Sequence, residues 1–176
     1  MPIKPDQPTV FHGSGTRGLK SISPRQESVR DPKEGPVVFG TSRLRLACMF
    51  MSPDTRDSWT KKGSFSNTYY FIISNEKRYR DGDKGGSIYE LPADTFYREE
   101  GKGMQIEYVS KTEVPIIKER EFDSTLDALL WCGVQVYFID PETLQKIWKA
   151  PDNGLDILKT LTSENMKQGK NVQQFI

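Results

Sequence analysis

One histidine, two cysteines and a scatter of carboxylates bound the chemistry open to this 176-residue chain. His12, Cys48 and Cys132 stand too far apart for the paired Cys/His spacings that hold zinc, so no metal is expected. The run beginning at Asp81, DGDKGGSIYEL, starts like a calcium loop. Its twelfth position is Pro92, however, where a bidentate glutamate is required. Gly13, Gly15 and Gly18 form a G-x-G-x-x-G directly after an apolar run, but Pro24 cuts short the helix a dinucleotide fold needs there. No serine sits in a nucleophile-elbow context to use His12 as a base. What remains is His12 itself, followed by Gly13, where backbone can approach a ligand, and by the Ser14 hydroxyl. A second candidate is Glu107, a carboxylate within IEYVS whose neighbours Ile106 and Tyr108 share the opposite strand face.

The elements that must carry these residues are short. Three prolines in the first eight residues predict an extended lead-in over 1–8. TVFHGS reads as a buried strand ending near Gly13, and the Gly-, Ser- and Pro-rich stretch 15–34 reads as loop. PVVFGT predicts a second strand, with Thr41 or Ser42 capping a helix through LRLACMFM. SPDTRDSWTKKGSFSN reads as a mobile connection, TYYFIIS as a strand, and NEKRYRDGDKGG as a hairpin-like turn. GSIYEL, MQIEYVS and VPIIKEREF predict further strands. Ser124 caps a helix that Gly133 ends, VQVYFID is the last strand, and Pro141 opens another helix. After that the tail, 161–176, fades into polar residues. The expected architecture is α+β: a single domain over 9–160 with a split, mainly antiparallel sheet and short helices.

Composition narrows the function classes. Lys+Arg is 25 against 24 Asp+Glu, a formal charge of +1, with the signs interleaved; a dedicated nucleic-acid binder would be far more basic. No apolar run reaches the ~20 residues of a membrane span, and MPIKPDQPTV lacks the apolar stretch of a secretory signal. Cys48 and Cys132 each lie in an apolar run and read as free, buried thiols. Those three readings together predict a cytoplasmic protein with no membrane partner. Leu129, Leu130, Trp131, Val136, Phe138 and Trp148 read as core.

Three segments in order, FHGS at 11–14, GPVVFGTSRLRLACMF at 35–50 and GMQIEYVSKTEV at 103–114, resemble the ADP-ribosyltransferase superfamily, in its branch with diphtheria toxin and the poly(ADP-ribose) polymerases. Together they cover about a third of the chain. The resemblance implies NAD as substrate rather than resident cofactor, no metal, and transfer of ADP-ribose to an acceptor, which could be protein, nucleic acid, a small molecule or water. It implies that His12 bonds a ribose hydroxyl, that the Gly13 backbone holds the carboxamide, and that Glu107 is catalytic. Ser14, Phe39, Thr41, Ser42, Phe50 and Tyr70 complete the implied NAD site. The two tyrosines that sandwich the nicotinamide in that family align with Val38 and Met49, and the usual Ser-Ala pair with Leu46 and Ala47. Phe50, one residue off, and Tyr69 or Tyr70 are the rings that would stand in. The missing tyrosines support an alternative: a non-catalytic interaction module retaining the fold. RNA 2′-phosphotransferase, a third possibility within the superfamily, requires a second histidine that this chain lacks.

Overall fold

The computed structural model describes residues 2–26, 28–29, 32–52, 58–65, 68–101, 103, 105–152 and 154–167, with residue 65 and residues 162–167 described as backbone only. Along the chain run β1 (Thr9–Ser14), β2 (Ser21–Ile22), β3 (Val38–Thr41), α1 (Leu44–Phe50), β4 (Thr60–Phe65), β5 (Thr68–Ile73), α2 (Glu76–Gly82) and β6 (Gly86–Pro92). There follow β7 (Glu107–Ser110), β8 (Val114–Pro115), β9 (Lys118–Phe122), α3 (Thr125–Trp131), β10 (Gln135–Phe138), α4 (Pro141–Lys149) and α5 (Leu155–Lys167). The class is α+β with mainly antiparallel sheets. None of the described helices is long and apolar enough to cross a membrane.

The described residues form two compact units, each assembled from two separate stretches of chain: 1–51 with 85–123, and 52–84 with 124–176. The first unit holds a five-stranded sheet in the order β7-β3-β1-β6-β9, every neighbouring pair antiparallel, and the small pair β2-β8. Its core packs Val10, Val38, Tyr89, Leu91, Phe96 and Tyr108 on one side of the large sheet. Each such side chain contributes roughly 1.5–3 kcal/mol when taken from water, which fixes strand register through the period-2 alternation. The second unit holds β10-β5-β4, in which β10 runs parallel to β5 and β4 antiparallel to it. Ile72 and Tyr137 pack there with Leu144, Ile147 and Leu158 of α4 and α5.

Local chemistry explains most boundaries. The Ser124 hydroxyl accepts from the N–H groups of Leu126 and Asp127 to start α3, as its sequence position suggests. Gly133 follows that helix with φ of +75°, a conformation glycine adopts without steric cost. Asp140 caps α4 by accepting from the Thr143 N–H at 2.8 Å, with Pro141 in the first turn.

Three segments and the two cysteines differ from their sequence expectation. Residues 76–82 are a helix rather than a hairpin-like turn: the Asn75 side chain accepts from the Arg78 N–H, and Glu76–Arg80 and Lys77–Asp81 pair along one face. Tyr79 anchors that helix, its hydroxyl 2.7 Å from that of Thr125 and its ring edge-on to Phe71 and Phe138. Thr60–Phe65 is a strand, β4, inside the stretch read as mobile; residues 53–57 and 66–67 of that stretch lie outside the described residues. The tail holds a 13-residue helix, α5, reaching Lys167, and 168–176 lie outside the described residues. Both cysteines are disulfide-bonded, so the expectation of two free thiols is overturned and gives no ground for a reducing compartment.

Candidate active site

Two strand registers bring the candidate residues together. Phe11 of β1 lies opposite Thr41 of β3, and Thr41 lies opposite Glu107 of β7, so the three form a row across adjacent strands. With strands ~4.8 Å apart, Glu107 stands about 10 Å from β1 along that row. Tyr108, next in β7, goes to the core on the opposite face, which is the alternation IEYVS predicts.

The pairing of β1 with β3 is brief. β1 matches β6 at six successive positions, from Thr9–Pro92 to Ser14–Ser87, but matches β3 only at Phe11–Thr41. Beyond that pair the strands part, and the His12 ring bridges them through Nδ1, 2.7 Å from the Phe39 carbonyl oxygen. A carbonyl can only accept, so Nδ1 carries the proton and Nε2 keeps its lone pair. Burial is the largest influence on the imidazole and holds its pKa below the usual histidine value, with the Arg25 charge adding to the effect and the Phe39 bond opposing it. The ring is therefore neutral near pH 7 and presents a hydrogen-bond acceptor.

Where the strands part there is a hollow of about 270 Å³ lined by Phe11, His12, Gly13, Phe39, Gly40, Thr41, Phe50 and Glu107. Its walls are mostly apolar, with one neutral imidazole and one carboxylate as chemical groups. That volume lies just under the ~300–1,000 Å³ of ordinary ligand pockets, so it suits one ring with its attached sugar rather than a whole dinucleotide.

Both glycines that line the hollow are set by packing. A Cβ at Gly13 would fall 1.9 Å from the Ala47 carbonyl oxygen of α1, so only glycine lets the helix lie against β1. A Cβ at Gly40 would come within 2.8 Å of the Phe96 ring and 2.9 Å of Val10. The close backbone approach at Gly13, read from the sequence as room for a ligand, is thus taken up by α1. That contact is also what holds α1 against β1, and Phe50, 48% exposed, ends α1 in the wall of the hollow.

Six of the nine residues singled out from the sequence line this hollow: Glu107, His12, Gly13, Phe39, Thr41 and Phe50. Ser14, Ser42 and Tyr70 are not among its lining. The Ser14 hydroxyl accepts instead from the Thr16 N–H at 3.1 Å, closing a local turn. Tyr70 belongs to the second unit, where it lines a different hollow with Lys61 and Lys62. Thr41 does line the site, but its hydroxyl accepts from the Arg43 N–H at 3.0 Å; the N-cap of α1 is Arg43, which makes no side-chain cap, so neither Thr41 nor Ser42 caps the helix. Val38 and Met49, which align with the family's tyrosines, are core residues, each 2% exposed. Phe11 and Gly40 are the lining residues that sequence reasoning missed; the signal was adjacency, Phe11 to His12 in an apolar strand and Gly40 between Phe39 and Thr41.

The loop after β1 is fastened down at its start. The Gly18 N–H donates to Glu119 at 2.8 Å, the Tyr89 hydroxyl donates to the Thr16 carbonyl at 2.7 Å, and Arg17 donates to the Phe122 carbonyl at 2.6 Å. Ser21 and Ile22 then pair with β8. The three glycines of the G-x-G-x-x-G accordingly open no helix.

Neutral His12 makes a pH prediction. Its folded pKa lies below the unfolded value of about 6.5, so below that pH the unfolded chain binds a proton the folded chain refuses. Stability contributed here is complete above about pH 6.5 and falls on acidification, by at most ~1.4 kcal/mol per pH unit. Thermal midpoints measured from pH 7.5 to 5 should fall more steeply for the wild type than for His12→Gln; parallel curves would refute the assignment.

Among known proteins, the chain matches no protein-family model, no curated protein and no solved structure.

Proposed function

We propose that the protein cleaves the nicotinamide–ribose bond of NAD and transfers ADP-ribose to an acceptor or to water. The observation that carries this reading is that the one histidine and Glu107, 95 positions apart in the sequence, line a single apolar hollow beside two aromatic rings, Phe39 and Phe50.

Each group has a role that follows from its state. The bare Nε2 of His12 accepts a hydrogen bond from a ribose hydroxyl, and its neutrality puts no like charge beside the cationic nicotinamide. Phe39 and Phe50 offer ring faces to the pyridinium, standing in for the tyrosines that Val38 and Met49 replace. As the C1′–N bond breaks, its electron pair leaves with the nicotinamide, which becomes neutral, and positive charge builds on C1′ and the ring oxygen of the sugar. An apolar wall favours that discharge of the leaving group. The Glu107 carboxylate accepts from the adjacent ribose hydroxyl and so stabilises the oxocarbenium-like state, as carboxylates do in glycoside cleavage. An acceptor oxygen or nitrogen then bonds to C1′, and Glu107 takes the proton it gives up.

Incubation of the purified protein with NAD tests the reading directly. Release of free nicotinamide, quantified by chromatography, is expected for the wild type. NAD that binds without turnover favours the interaction-module alternative, and calorimetry showing no heat with NAD removes the NAD site altogether.

A further inference from the structure

Two adjacent lysines sit on β4, the edge strand of the second unit's sheet, where lysines ordinarily lie in water and block strand addition. Neighbours along a strand leave opposite faces, so the two meet different surroundings. Lys61 stands opposite Ile72, with its ammonium 4.0 Å from the centre of the Trp148 ring. Lys62 stands opposite Phe71, half-buried, with its ammonium 5.0 Å from the centre of that ring. The Lys62 face of the hairpin alternates through Thr60 and Ser64 on β4 and Tyr69, Phe71 and Ile73 on β5, which include no carboxylate. Tyr79 of α2 packs edge-on to Phe71, and its hydroxyl is already paired with that of Thr125 at 2.7 Å. Lys62 makes no ion pair among the described residues.

An amine held against a ring, short of water and without a counter-charge, binds its proton weakly. Burial lowers the Lys62 pKa from 10.5 to about 8. At pH 7 roughly a tenth of Lys62 is then the neutral amine, a fraction ~300-fold larger than for a lysine in water. Lower basicity also weakens the nucleophile; at a Brønsted slope of about 0.4–0.5, as for thiolates, that costs about 10–20-fold. The first effect wins, leaving Lys62 about 20-fold ahead of an ordinary lysine. Access is open as well. A hollow of about 360 Å³ follows the hairpin, with Lys61 and Tyr70 from one sheet face and Lys62 and Ser64 from the other in its wall.

We propose that Lys62 is a nucleophilic amine that captures small aldehydes as an imine on the Phe71 face of the β4–β5 hairpin. The Nζ lone pair bonds to the carbonyl carbon while the π pair moves to the oxygen, which takes up a proton from the nitrogen. Loss of that oxygen as water, with the second amine proton, leaves the C=N bond. No oxidant or reductant is consumed. This site is separate from the His12–Glu107 hollow and does not rest on the NAD reading.

Treating the full chain with benzaldehyde and cyanoborohydride, which reduces the imine to a stable benzylamine, tests the assignment by peptide mass mapping over time. At pH 7 Lys62 should be benzylated about 20-fold faster than the median lysine; the chain's α-amino group, with an ordinary pKa of about 7.7–8.0, is resolved from it by the mapping. Imine capture, read as the rate extrapolated to saturating cyanoborohydride, should level off above about pH 8.5 at Lys62 and keep rising to pH 10 at the other lysines. In concentrated urea the advantage of Lys62 should vanish, because it comes from the fold. Lys62→Arg, which keeps the cation and so the packing against Phe71, should lose the fast lysine phase and leave the slower ones unchanged. Labelling of Lys62 at the median rate, a Lys62 profile that climbs through pH 10 with the others, or an advantage that survives in urea would each overturn the proposal.

Discussion

Glu107→Gln is expected to leave NAD bound within a few-fold of wild-type affinity while slowing nicotinamide release by about 10²–10³-fold, the effect typical of removing one group that stabilises transition-state charge. The substitution keeps the size of the side chain and its position at the start of β7 opposite Thr41, so the walls of the hollow are preserved. What it removes is the negative charge that, in the proposed reading, stabilises the positive charge developing on the sugar. Release by Glu107→Gln at the wild-type rate would exclude the carboxylate from the chemistry. His12→Ala should behave differently. Losing one hydrogen bond to a ribose hydroxyl costs about 0.5–1.5 kcal/mol, so it should mainly raise KM, by up to about tenfold. The two variants together thus separate a binding role from a transition-state role.

Gly13→Ala should be among the most damaging single-methyl changes in the chain. Its Cβ would stand 1.9 Å from the Ala47 carbonyl and 3.0 Å from the Met51 side chain, and the carbonyl is helix backbone that cannot swing aside. Overpacking of this kind costs about 1–3 kcal/mol and occasionally more. For a chain of this length each kcal/mol lowers the melting midpoint by roughly 2–4 °C, so a fall of several degrees is expected in a thermal scan. Gly15→Ala is the matched control: nothing lies within 4 Å of a Cβ there, and its midpoint should stay near wild type. If α1 shifts to relieve the clash, Phe50 moves with it, so Gly13→Ala should also weaken ligand binding. Equal midpoints for the two alanine variants would show that α1 does not rest on residue 13 as described.

Much of the first unit is legible along the chain because its signals are local. TVFHGS reads as a buried strand, GSIYEL alternates with Tyr89 and Leu91 inward, and IEYVS puts Tyr108 inward and Glu107 outward by period alone. Ser124, Gly133 and Pro141 mark helix ends because a cap needs only its own neighbours. α2 failed this kind of reading because its segment carries a single inward residue, Tyr79. The rings it meets, Phe71 and Phe138, are distant in sequence, and no periodicity within seven residues reveals them. β4 failed because two adjacent lysines look like a solvated connection until Trp148 and Phe71 are found beside them.

The sequence by itself determined most element types of the first unit, the α+β class and the residues able to do chemistry, since propensity, alternation and side-chain identity are local properties. The tertiary structure alone decided which of those residues share a hollow. That depends on β1 and β3 matching at one pair and then parting, and on register across β7, which no local pattern encodes. It also decided that the two units interleave along the chain, that both cysteines are bonded, and that Tyr70 lines a different hollow from His12. Each of these is set by pairings between residues tens of positions apart, where loop closure and packing outweigh any preference the intervening segment carries.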